Sequence, residues 1–235
     1  MRYLGLASDY DGTLATDGRV NQETVAALER LRSTGRKLIL VTGRELDDLL
    51  LTFEQIHLFA RVVVENGALL YNPATHEEKL LGSKPPEQFV TQLRDRGVEP
   101  LSVGRAIVAT WHPHETKVIE VIRELGLELQ VIFNKGAVMV LPAGVNKASG
   151  LKAALIELGL SPHNTLGIGD AENDRAFLSL CECGVAVANA LDMLKQGADV
   201  VTKGARGAGV VEIIDQLIAS DLSEIRRRRE KVNKG

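Results

Sequence analysis

The sequence predicts an α/β protein: a doubly wound parallel sheet interrupted by a small inserted α+β unit. Three observations carry that prediction. Short apolar runs alternate with amphipathic stretches at both ends of the chain, as in successive β-α-β units. The runs are apolar throughout rather than at every second position, the mark of strands covered on both faces. Between them, the middle of the chain changes to hairpin-linked runs with helices. A length of 235 residues, 45% of them hydrophobic and 25% charged, suits one large domain or a core with an insertion.

The first strand is expected over residues 3–8, ending directly at Asp9. After a polar loop with two glycines, Asn21 can cap a helix whose apolar positions Val25, Leu28 and Leu31 recur at helical spacing, with Gly35 closing it. Residues 37–41 form a second strand, a helix follows Thr42-Gly43-Arg44 to about residue 54, and residues 61–65 are a third strand. A polar hairpin is expected over 66–73. The insertion then reads α-β-α-β-β: a helix at 86–96, a strand at 106–111, a helix at 115–125, and strands at 129–133 and 138–141 around Asn134-Lys135-Gly136. From Asn146 the alternation resumes, with helices at 148–158, 172–180, 191–196 and 210–219 and strands at 165–168, 185–188 and 199–202. The expected organisation is therefore core 1–79, insertion 80–144, core 145–220 and a basic tail 221–235.

The formal net charge is −3, but the last thirteen residues carry six basic and two acidic side chains, so the rest stands near −7. So acidic a body disfavours nucleic acid as the main partner. The run Arg226 to Arg229 reads as a solvated helix end or linker. Cys181 and Cys183 are too few for a structural zinc site. No apolar run approaches the roughly 18 residues a membrane span needs. With few cysteines and no export signal, the expected compartment is the cytoplasm. Oligomeric state is left open.

In an open parallel sheet, ligands bind beyond the carboxyl ends of the strands. Three segments stand there: Asp9 to Thr13 (DYDGT), Thr42-Gly43-Arg44, and Gly169 to Asp174 (GDAEND). Asp9 and Asp11 share one face of an extended segment, and Gly12 lets the chain turn. With Asp170 and Asp174 arriving from another strand end, the carboxylates would repel one another unless a cation sat among them. An all-oxygen donor set with room for waters and a phosphate favours Mg²⁺. Lys147, opening the helix after the insertion, can hold an anion together with that helix end. Thr42 offers a hydroxyl, and the amides around Gly43 and Gly12 can donate to phosphoryl oxygens.

With these four motifs in order, the sequence resembles the haloacid dehalogenase-like hydrolases over essentially its whole length to about residue 220. The resemblance implies a Rossmann-like core and a phosphatase for a small phosphorylated metabolite. In it, Asp9 is the nucleophile that becomes an aspartyl phosphate, and Asp11 the acid that protonates the leaving oxygen and later activates water. Mg²⁺ is held by Asp9, the main-chain carbonyl of Asp11 and Asp170, with Asp174 acting behind them. Thr42 and Lys147 hold the transferring group, with Gly43, Asn66 and Asn173 close by. The placement of the insertion and the V-E-N-G-A stretch at 64–68 look like the subgroup of sugar-phosphate, sucrose-phosphate and archaeal phosphoglycolate phosphatases, in which the insertion is a cap over the site. Ala171 departs from the small polar residue or glycine of many relatives, leaving the charged positions intact. Dehalogenation is disfavoured, because relatives with that activity lack the second aspartate.

The same motifs also serve phosphomutases and regulatory phosphatase modules of larger proteins. A phosphoacceptor signalling module would have neither the insertion nor Asp11. Within the insertion, Trp111 is expected to pack under the sheet, with His112 and His114 at the surface and Lys135 as a candidate for substrate selection. Arg44 is expected to pair with a surface acid, Asp47 or Asp48.

Overall fold

Strand β1 (Gly5–Ser8) lies at the centre of the molecule because all four of its residues are buried and need cover on both faces. The computed structural model describes residues 1–223; the Arg226 to Arg229 run falls outside them. From β1 the chain steps outward through helix α1 (Gln22–Ser33), strand β2 (Lys37–Val41), helix α2 (Leu46–Thr52) and strand β3 (Arg61–Val64). As the spacing required, α1 is capped by Asn21, whose side chain accepts from the Thr24 amide, and it buries Ala27, Leu28 and Leu31. Burying each such leucine contributes about 1.5–3 kcal/mol.

This edge is extended by strand β4 (Leu69–Asn72), antiparallel to β3, and by β5 (Glu77–Leu80), antiparallel to β4. The hairpin expected at 66–73 therefore sits further along the chain. Strand β5 is exposed at every residue and carries no apolar signal to announce it.

The insertion contains helix α3 (Glu87–Asp95), strands β6 (Ser102–Val103) and β7 (Val108–Trp111), helix α4 (Glu115–Glu124), and the hairpin β8 (Leu129–Asn134) and β9 (Ala137–Pro142). Its sheet runs β6-β7-β9-β8, all antiparallel. Strand β6, two residues long, is an addition to the expected order. The pleat of β9 divides the labour. Val138 and Val140 pack with Phe89, Leu93, Val118 and Val121 of α3 and α4. Met139 and Leu141 turn to the other face, where they join Ala68, Ile107 and Val145 against the core.

The chain returns through helix α5 (Lys147–Glu157) to strand β10 (Thr165–Gly169), then helix α6 (Arg175–Leu180), strand β11 (Cys183–Ala186), helix α7 (Asp192–Gly197), strand β12 (Val200–Val201) and helix α8 (Gly207–Ser220). The helix expected over 172–180 splits, because a 3₁₀ turn at Glu172–Asp174 precedes α6. The Asp174 carboxylate causes this by accepting from the amides of Asp170 and Ala171 at 2.8 and 2.9 Å.

The large sheet has the order β12-β11-β10-β1-β2-β3-β4-β5. The chain leaves β1 in one direction and returns at β10 on its other side. Right-handed crossovers then put α1 and α6 on opposite faces. The strand order reverses between β1 and β10, which run parallel with Ser8 opposite Ile168. Asp9 and Asp170 sit just past that point, where such sheets bind ligands. Among the described residues, no helix is long and apolar enough to cross a membrane.

Candidate active site

Lys147 is the first residue of α5, which begins with a capping box: the Asn146 side chain accepts from Ala148 and Ser149 amides, and the Ser149 hydroxyl accepts from the Asn146 amide. That start aims the Lys147 side chain inward. It is 2% exposed, and Nζ donates to Asp9 Oδ1 and to Asp174 Oδ1, both at 2.6 Å. Burial alone would discharge the ammonium, but the two carboxylates outweigh it and raise its pKa. Lys147 is therefore a permanent cation.

Asp9 is also buried. Desolvation, reinforced by the neighbouring Asp174, pushes its pKa up from 3.8 to about 7 despite the pull of Lys147. Asp170, 2% exposed, is shifted upward chiefly by burial, opposed by Lys135, whose Nζ donates to Oδ2 at 2.7 Å. Oxygen atoms of Asp9, Asp170 and Asp174 lie within 4.8 Å of one another. This all-carboxylate set suits a hard divalent cation, which would relieve the crowding that raises these pKa values. Both oxygens of Asp174 already accept short hydrogen bonds within the protein, whereas Asp170 Oδ1 accepts only a long one, from the Thr13 hydroxyl at 3.5 Å.

The close approach of these strands depends on Gly12, whose φ is +85°. A Cβ there would overlap the Asp170 carboxylate and crowd Lys135 Nζ. Asp11 lies outside the carboxylate cluster. Its two side-chain oxygens accept from Arg44 Nε and Nη2 at 2.6 and 2.8 Å. Arg44 does pair with Asp48, but the expectation of a purely surface pairing is corrected: two of its bonds hold Asp11. Asp47 pairs instead with Arg105. Arg44 and Asp11 lie 33 residues apart in sequence, so local spacing gave no sign of their pairing.

Thr42 is not the cap of α2, a position taken by Glu45. Its hydroxyl accepts from the Arg44 amide at 3.2 Å and lines the cleft with Gly43. Asn173 Nδ2 donates to Asn66 Oδ1 at 3.0 Å behind Gly43. Among the described residues, Asn66 Nδ2 and Asn173 Oδ1 have no partner. Asp9, Asp11, Thr42, Gly43, Lys147, Asp170 and Asn173 thus line one cleft, with Asp174 buried beneath Lys147 and Asn66 behind Asn173.

The cleft is a cavity of about 220 Å³ floored by Asp9, Asp170, Thr42 and Lys147 and roofed by the insertion. The roof corrects one expectation. Trp111 is 52% exposed and lines the cleft instead of packing under the sheet, since the alternation of β7 places it with Ala109, opposite Ala137 of β9, on the face away from Val108, Val138 and Val140. His112 pairs with Glu115 and stacks on Phe133, and His114 bonds the Glu99 carbonyl; both are surface contacts.

Sequence reasoning missed Glu65. Its carboxylate accepts from the amides of Arg105, Ala106 and Ile107 at 2.9, 2.7 and 3.0 Å, clamping the insertion to the end of β3. Glu65 and Asn66 both adopt positive φ, 51° and 53°, a strained conformation for non-glycine residues. The only available signal was the E-N-G triplet itself.

A family model described as haloacid dehalogenase-like hydrolase matches residues 6–117 and 112–214. The chain belongs to the haloacid dehalogenase-like hydrolases. A phosphoglycolate phosphatase of Methanothermobacter thermautotrophicus is 32% identical over 220 residues, covering 89% of this chain and 96% of its own. Phosphoglycolate phosphatase 2 of Saccharolobus solfataricus is 30% identical over 227 residues, covering 93% and 94%. A solved sugar phosphatase of subclass IIB of the same superfamily superposes with a TM-score of 0.76 at 20% identity, covering 91% of this chain and 98% of that one. The Rossmann-like core with its inserted unit is the fold of this family.

Proposed function

We propose that this phosphatase hydrolyses a small phosphorylated metabolite of phosphoglycolate type through an aspartyl phosphate on Asp9. The observation that carries the reading is the chain Asp9–Lys147–Asp174, buried at the point where the sheet reverses its strand order. Lys147 draws Asp9 toward its anionic form and fixes Oδ1, leaving Oδ2 to attack phosphorus. The ester P–O bond breaks as the Oδ2–P bond forms. Asp11 protonates the departing oxygen, then takes a proton from the water that attacks the aspartyl phosphate, releasing inorganic phosphate and restoring Asp9. The Thr42 hydroxyl and the Gly43 amide hold phosphoryl oxygens. Mg²⁺, held by Asp9, the Asp11 carbonyl and Asp170, would supply charge neutralisation for the approach of two anions.

Two considerations favour a phosphoglycolate-sized substrate over a disaccharide phosphate. A cavity of about 220 Å³ is below the roughly 300 Å³ at which pockets for drug-sized ligands begin. The phosphoglycolate phosphatases reported above align with nearly the whole chain. The test is phosphate release from a panel of small phosphate esters with Mg²⁺, run beside Asp9→Asn. Turnover by the wild type that vanishes in the variant is the expected result; turnover that survives in it would sink the mechanism.

A further inference from the structure

Lys135 sits at the tip of the β8–β9 hairpin with φ +48°, followed by Gly136 at +90°. Two positive φ values in a two-residue loop suit asparagine or glycine, so lysine is held there at a conformational cost. Its side chain is 45% exposed, yet Nζ crosses from the insertion to the core and bonds the buried Asp170 at 2.7 Å. Lys147 neutralises Asp9 and Asp174 but makes no bond to Asp170. Among the described residues, Lys135 is the one cation bonded to Asp170.

We propose that Lys135 is a specificity-determining residue that exchanges partners, bonding Asp170 while the site is empty and a carboxylate on the substrate's leaving group once the site is loaded. The proposal rests on the phosphatase reading. When Asp170 turns to a divalent cation, the ammonium loses its partner and meets a like charge, so it must move. Its stem is anchored beside Asn134 and Ala137, which line the cleft, so it remains at the mouth. Among the described residues the roof offers no other charge: Pro100, Ala109, Trp111 and Met139 line it with uncharged groups. Arg44 is already engaged by Asp11 and Asp48. A leaving group carrying a carboxylate would therefore find its countercharge in Lys135, and a neutral one would not.

Lys135→Met and Lys135→Arg test this. Calorimetric titration of the substrate-free protein with Mg²⁺ should show about tenfold tighter binding in Lys135→Met, since no ammonium competes for Asp170, and near wild-type binding in Lys135→Arg. Steady-state kinetics should show KM for 2-phosphoglycolate rising about 10- to 100-fold in Lys135→Met. The ratio of its kcat/KM to that for 2-hydroxyethyl phosphate, which has CH₂OH in place of the carboxylate, should fall at least about tenfold, and Lys135→Arg should largely restore it. Unchanged Mg²⁺ affinity, or a KM change shared by both substrates, overturns the proposal. If the wild type turned over no phosphate ester, the phosphatase reading would fall, while the calorimetric result would still decide whether Lys135 competes for Asp170.

Discussion

Lys147 on the floor of the cleft is 2% exposed and tied to two buried carboxylates, whereas the side chain of Lys135 on the roof is 45% exposed and tied to one. The floor cation was placed there by a capped helix and by strands whose every residue is buried; the roof cation hangs from a hairpin tip. Removing one partner of a buried pair costs about 3–5 kcal/mol, while exposed pairs contribute about 0–1 kcal/mol. Removing the floor cation should therefore cost stability as well as chemistry. Its counterpart above can change at little cost, as the role proposed for it in choosing the leaving group requires.

The sharpest way to break this contrast is Asp9→Asn, expected to lower kcat for phosphate release by at least about 10⁴-fold with an unchanged circular dichroism spectrum. Asp11→Asn should follow with a loss of about 10²- to 10⁴-fold, milder for a leaving group of low pKa that needs no proton; equal losses on activated and ordinary esters would remove Asp11 from its role. Lys147→Met should cost about 10²- to 10³-fold in kcat. It should also lower the melting temperature by about 6–20 °C, since Asp9 and Asp174 would be left buried without their cation. A shift under about 2 °C would mean that the floor is as tolerant as the roof.

Glu65→Ala tests the seam between the halves. Three amides would lose their acceptor, so hydrogen exchange at Arg105, Ala106 and Ile107 should accelerate and KM rise about tenfold, with kcat within a few-fold. Protection that stays at wild-type level would show that the clamp is dispensable. The smallest effect concerns pH. Asp9 is raised from 3.8 to about 7, so the folded state holds its proton more tightly than the unfolded one. The stability this contributes is fully present below about pH 4 and is lost as pH rises through 7. In excess chelator, the wild-type melting temperature should fall relative to Asp9→Asn across that window, and Mg²⁺ should flatten the difference.

How much of this could be read from the residues follows the same division. Asp9, Thr42 and Asp170 were legible because each ends an apolar run, and Lys147 because it opens a helix after the insertion. The Arg44–Asp11 pair was not, because it joins two strand ends whose proximity only the sheet creates. Glu65 was hidden for a related reason: its partners lie 40 to 42 residues away and its conformation has positive φ. Trp111 was placed wrongly because a large aromatic in a strand suggests burial, while the pleat of β7 turns it to the cleft side, away from the valines that pack against the helices. Strand β5 escaped notice because Glu77, Glu78 and Lys79 reach solvent and leave no period to detect.

The insertion leaves and rejoins the core at one place. Leu80 at the end of β5 pairs with Leu69, Leu81 donates to the Ala68 carbonyl, and the Asn146 carbonyl lies so close to Gly67, at φ +109°, that no side chain fits there. Both stems thus dock on residues 67–69. Everything between them is one continuous stretch of chain, so a chimera carrying another family member's insertion between those stems should keep the strand order of the large sheet and take on the donor's choice of leaving group.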